Sequence, residues 1–141
     1  MPWTGGSIDL VVDSAGLTGN DGLQADGFDN LTVDAAGQVV LQEDGGSGDS
    51  YVSKLWRIDP DTGAATQIFE SDRARFLGGG ASFLTSDEEN SGVIEVTEVV
   101  RNASWFDSGR RYYLGTNQAH YPHATTSLVE GGQLYLFASP K

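Results

Sequence analysis

Lys54-Leu55-Trp56-Arg57-Ile58-Asp59-Pro60-Asp61-Thr62-Gly63 is the stretch that decides how this chain is read. Its first half is short, apolar and aromatic and closes on the β-branched Ile58, the composition of a strand. Its second half is a turn, with proline presetting φ at the second position and glycine closing it. The aspartates resemble a calcium loop only superficially, because the β-turn accounts for each of these residues and no EF-hand pattern is present.

Outward from this stretch the same grammar repeats. Upstream, Leu31 and Val33 alternate with polar neighbours, Asp34-Ala35-Ala36-Gly37 supplies a turn, and residues 38–42 form a second strand. A glycine-rich loop, Gly45-Gly46-Ser47-Gly48-Asp49, leads to the strand at 53–58, and residues 65–69 return after the Asp59–Gly63 turn. These strands fill residues 28–70, about 43 positions, close to the 40–45-residue period of a propeller blade. A second unit begins near Arg75, with apolar or β-branched runs at residues 82–85 and 93–100. Residues 111–115 and 133–137 complete it, the last after a Glu130-Gly131-Gly132 turn. Glu95 and Glu98 stand at helical spacing, yet the valine-rich run 93–100 reads as strand.

The expected fold is therefore all-β. Two four-stranded propeller-like blades, residues 28–72 and 73–141, follow a loop-rich segment of residues 1–27 with little core and one strand candidate at residues 8–12. Two blades do not close a ring, since propellers use typically four to eight, and an isolated pair exposes unpaired edges. The chain is then a piece of a longer protein, assembles with copies of itself, or adopts another open β-fold.

Composition narrows the function. The 141 residues carry 19 glycines and 38% apolar residues, a mix that favours tight turns and short strands. The net charge of −12 argues against nucleic acid and anionic membranes as partners, because phosphate backbones require a basic footprint. Divalent cations, or simply a solvated acidic surface, suit such a chain. No apolar window is long enough to insert into a membrane. With no cysteine, thiolate catalysis, disulfides and Cys-type metal sites are excluded. Met1-Pro2-Trp3-Thr4-Gly5-Gly6 has neither a basic start nor an apolar run, so no signal peptide is expected here and export would rely on a longer precursor.

Two acidic groups could hold a hard cation. The first is Asp26, Asp29, Glu43 and Asp44; a hairpin brings Asp29 and Asp44 to one end of the sheet, where Asn30 and Gln42 add amide oxygens. The second is Asp87, Glu88 and Glu89, followed by Asn90-Ser91-Gly92, whose mutual repulsion a cation or a solvated loop would relieve. Aspartate and asparagine also populate turns for local reasons, so the bland reading stands beside the metal reading. His120 and His123, three apart, match neither a zincin pair nor a strand-face pair. No nucleophile elbow is present, and Gly78-Gly79-Gly80 lacks the lysine that a phosphate loop needs.

Taken in order, Asp29-Asn30-Leu31, Gln42-Glu43-Asp44-Gly45 and Leu55-Trp56-Arg57-Ile58 resemble the later part of the PhoX-type phosphatases and their bacterial relatives. Arg75-Phe76, Glu89-Asn90-Ser91-Gly92 and Gln118-Ala119-His120-Tyr121-Pro122 are similar to further family segments, and the resemblance spans residues 26–123. It implies a six-bladed propeller, periplasmic or extracellular, with a calcium and iron cluster that hydrolyses phosphomonoesters. It also implies that Glu89, with Asp44 as a second acidic candidate, belongs to the metal site. The chain departs from that pattern: it corresponds to the last part only, and acidic Asp87 and Glu88 stand where the phosphatases tend to carry an arginine. The expectation is a calcium-binding C-terminal part of such a protein, with Asp29, Glu43, Asp44 and Glu89 as metal candidates and Asp87, Glu88 and His120 beside them. Alone it would be inactive, needing its missing blades. The alternative is a non-catalytic extracellular β-rich module, used for binding or structure and able to assemble with copies of itself.

Overall fold

In the computed structural model, residues 5–46, 50–121 and 131–141 are described. His123, Glu130 and residues 47–49 of the glycine-rich loop lie outside them.

The first unit follows its expected outline. Strands β1 (Phe28–Val33), β2 (Val39–Glu43), β3 (Lys54–Ile58) and β4 (Ala65–Glu70) form an antiparallel meander in sequence order. The turns that punctuate it are those read from the sequence. Gly37 and Gly63 adopt φ of 80° and 70°, and Asp59 Oδ1 accepts from the Asp61 and Thr62 amides at 2.9 and 3.2 Å. β2 and β3 are central strands, buried on both faces, which explains their dense apolar runs.

The second unit departs from expectation. Among the described residues it is a three-stranded antiparallel sheet, β5 (Glu88–Glu95), β6 (Arg110–Ala119) and β7 (Gly131–Pro140). Residues 82–85 form no strand; the Ser82 and Leu84 amides instead bond to Ala74 and Arg75 carbonyls beside the short helix α1 (Arg73–Phe76). The valine-rich run is split, because β5 ends at Glu95 and Thr97–Val100 forms a helical turn, α2. There the Thr97 hydroxyl donates to Glu95 and accepts from the Tyr112 amide of β6, so specific side-chain bonds override β-propensity. The strand candidate at residues 8–12 is likewise irregular and exposed, with Ile8 and Leu10 in solvent.

The two sheets pack face to face. Val40 and Leu55 meet Val93 and Tyr113, with Ile68, Phe69 and Phe137 around them. Phe69 stacks on Tyr135 at 4.5 Å between ring centroids. The N-terminal segment contributes more core than its composition promised: Ala25, Val12 and Leu17 cover the opposite face of the first sheet over Trp56 and Ile58. Among the described residues, two layers are present with no closure into a ring. No helix of the described residues is long and apolar enough to cross a membrane.

Candidate functional site

The sheets are joined at two ends. At one, the Asp34–Gly37 turn docks on β6: Tyr113 Oη lies 3.2 Å from Asp34 Oδ2, Arg111 Nε lies 3.7 Å from the same oxygen, and the Ala35 amide donates to Glu95 at 2.7 Å. At the other, Asp44 and Glu89 pair as an isolated antiparallel bridge just beyond the end of β2. This second seam gathers most of the expected acidic residues.

Backbone geometry sets Asp44. Its amide donates to the Gly27 carbonyl at 2.8 Å, while Gly27 holds φ of 59°. A Cβ at Gly27 would fall 2.1 Å from that oxygen, so only glycine fits. Glu89 is set by β5, in register with Gln118 of β6. Burial raises the Glu89 pKa first, then the charges of Asp44 and Asp29, against the opposing pull of His120. The Asp44 carboxylate acts on Glu89 at close range across this bridge, and His120 Nε2 lies 3.9 Å from Glu89 Oε2. Asp29 is exposed and accepts from the Asn30 amide at 3.0 Å. Asp87 adjoins the same corner through its carbonyl, which accepts from the His120 amide at 2.9 Å.

Two expected members stand apart. Glu43 lies on the opposite face of β2 from Asp44 and is fully buried, accepting from the Lys54 amide at 2.9 Å and Trp56 Nε1 at 2.7 Å. Lys54 Nζ stands 3.9 Å from it and 3.1 Å from Asp21, so the carboxylate is committed to a structural ion pair. Burial raises its pKa against those donors. Glu88 points away from Glu89 into the core, where Oε1 accepts from the Ser53 amide at 2.7 Å and Oε2 from Asn117 Nδ2 at 2.8 Å and Ser71 Oγ at 3.2 Å. Burial pushes its pKa up as well, and its charge helps raise that of Tyr135. Gln42 is buried on the face of β2 that Asp44 continues, and its amide nitrogen has no hydrogen-bond partner among the described residues.

The donors at the seam are oxygen-rich, as a hard cation requires. They are not a finished cage, since among the described residues no three His, Asp or Glu side chains are grouped to hold a metal. Calcium would take carboxylate oxygens from Asp44 and Glu89 and complete its shell with water, with Asp29 adding charge. Iron would find one nitrogen donor among the described residues, His120, beside these carboxylates.

No sequence signal marked Ser53, Ser71, Asn117 or Gly27 as organisers of this region. Serines and asparagines in strand ends look like solvent-facing residues until the partner sheet is known. Compared with protein-family models, with curated proteins and with solved structures, the chain matches none.

Proposed function

We propose that this protein is a β-rich module that binds a divalent cation, calcium by donor chemistry, at the seam where its two sheets meet. The observation that carries the reading is the Asp44–Glu89 backbone bridge, which sets two acidic residues side by side, with Asp29 adding its charge at Glu89. Like charges on neighbouring residues destabilise the folded state unless a proton or a cation intervenes. Asp44 and Glu89 act as ligands, Asp29 as an electrostatic contributor and His120 as the flanking group. Glu43 and Glu88 are removed from the ligand set by their structural hydrogen bonds. Kinship with the exported PhoX-like phosphatases is supported by the order of sequence segments, and phosphomonoester hydrolysis would need the remaining blades and the iron that the resemblance implies.

Thermal unfolding of the purified chain in millimolar calcium and in excess chelator tests this. A ligand bound only by the folded state stabilises it by about 2.7 kcal/mol at a hundredfold excess over Kd, a shift of several degrees for a domain of this size. The shift disappears in Asp44→Ala and Glu89→Ala. If calcium leaves the wild-type Tm unchanged, the carboxylates are solvated surface and the reading fails.

A second reading, a module that assembles with further blades or with copies of itself, is favoured by one feature. Ile94, Leu114 and Leu136 are in register across β5, β6 and β7, and Ile94 and Leu136 are exposed, as is Leu134 in the next row. An apolar row on a sheet face is a surface that gains from being covered. The native mass of wild type and Leu136→Glu decides it: an oligomer dissolved by the substitution supports assembly, and a wild-type monomer excludes self-association.

A further inference from the structure

Among the described residues, no backbone hydrogen bond involves residues 5–12. Only the inner end of this segment is anchored: Val12 packs against the Trp56 and Ile58 cluster, and the Val11 carbonyl lies against the Gly63 turn. Further out, Ile8 and Leu10 are 101% and 82% exposed. Yet Ser7-Ile8-Asp9-Leu10 alternates polar with aliphatic residues, the period-two pattern of a strand with one apolar face. Two large aliphatic side chains held in water on one side of such a strand gain from being covered.

The second sheet offers a matching edge. β7 pairs only with β6, and among the described residues no further backbone hydrogen bond reaches it. Folded proteins blunt free edges with charged residues. The other three edge strands carry them: Asp29 in β1, Glu70 in β4, and Glu88, Glu89 and Glu95 in β5. β7 has no charged residue in its 10 positions, and its one proline stands last. Its outer face exposes Leu134 and Leu136, the latter in register with Leu114 and Ile94. A long, uncharged edge flanked by exposed leucines is a template for an added strand.

We propose that residues 6–11 of one copy add as a fourth strand to the free edge of β7 in a second copy, with Ile8 and Leu10 beside its Leu134 and Leu136. This docking rests on the assembly reading above and names the two parts that meet. Backbone hydrogen bonds along β7 supply the pairing, and the aliphatic contacts select the face that the strand presents. Val12 keeps the donor segment tied to its own core, so each added strand links two folded copies. Donor and acceptor are different surfaces, which makes the contact heterologous and lets copies join head to tail.

The test combines native mass with a directed cross-link, which the absence of cysteine makes specific. Sedimentation of the wild-type chain should give two or more copies, and the double variant Ile8→Asp, Leu10→Asp should weaken association at least about tenfold. Both positions are in solvent, so the variant keeps its fold. Leu10→Cys chains mixed with Leu134→Cys chains should form a disulfide-linked pair under mild oxidation, whereas Leu10→Cys mixed with Asp61→Cys, on an exposed turn, should not. A wild-type monomer would overturn the docking and the assembly reading together. An oligomer that the double variant leaves intact, or cross-linking no faster than the Asp61→Cys control, would overturn strand donation alone and leave assembly through the sheet face standing.

Discussion

Trp56 Nε1 lies 2.7 Å from Glu43 Oε1, and this one bond ties β3, a central strand of the first sheet, to a buried carboxylate on neighbouring β2. Both oxygens of Glu43 accept, one from Trp56 and the other from the Lys54 amide. Glu43→Gln must turn an NH2 group toward one of those donors, and it also removes the charge beside the buried Lys54. A loss of about 2–4 kcal/mol is expected, read by urea denaturation, with a changed Trp56 fluorescence. A loss below about 0.5 kcal/mol would place Glu43 outside the structural core and return it to the ligand candidates.

Asp44→Asn separates repulsion from ligation. In excess chelator the substitution removes one of two neighbouring like charges and should raise stability by about 1 kcal/mol. In millimolar calcium the order reverses, since wild type gains the bound ion and the variant does not. Parallel denaturation curves in the two buffers check this, and a variant less stable in both would show that Asp44 serves the bridge and not a cation.

Gly27→Ala probes the seam from its backbone. The position needs φ of 59° and has no room for a methyl group against the Asp44 carbonyl. The left-handed conformation and the clash together should cost at least about 2 kcal/mol, and the calcium-dependent Tm shift should shrink with it. Unchanged stability and calcium response would mean that Asp44 is positioned by other contacts.

Tyr113 governs the alkaline limit. Burial first, then the charge and hydrogen bond of Asp34, push its hydroxyl from 10.0 up to about 12. A raised folded-state pKa gives stability that is whole below the unfolded value and lost as pH rises through the folded one. About 2–3 kcal/mol should therefore disappear between pH 10 and pH 12. Tyr113→Phe should cost about 1 kcal/mol at neutral pH through the lost hydrogen bond, yet show a flatter stability profile above pH 10. Identical alkaline profiles for the two proteins would refute this. Tyr135, also raised by burial and by Glu88, contributes in the same direction and remains in both.

The first sheet was legible because its signals are local. Alternation in Leu31 and Val33, the Asp34–Gly37 turn and the Asp59–Gly63 turn act within a few residues, and the observed β1–β4 meander follows them. The second sheet was misread where a local preference met a specific partner: the valines of residues 93–100 favour strand, but Thr97 bonds Glu95 and the Tyr112 amide and turns the chain. Chain sequence determined the all-β class, the turn positions and the placing of Asp29 and Asp44 near one end of a hairpin, since each depends on period-two alternation and turn chemistry. Tertiary structure alone decided which carboxylate does what. Glu43 and Asp44 are neighbours, as are Glu88 and Glu89, and successive residues of a strand point to opposite faces. One of each pair is therefore buried among donors and the other meets its partner across the seam, a division that exists only once the second sheet has packed on the first.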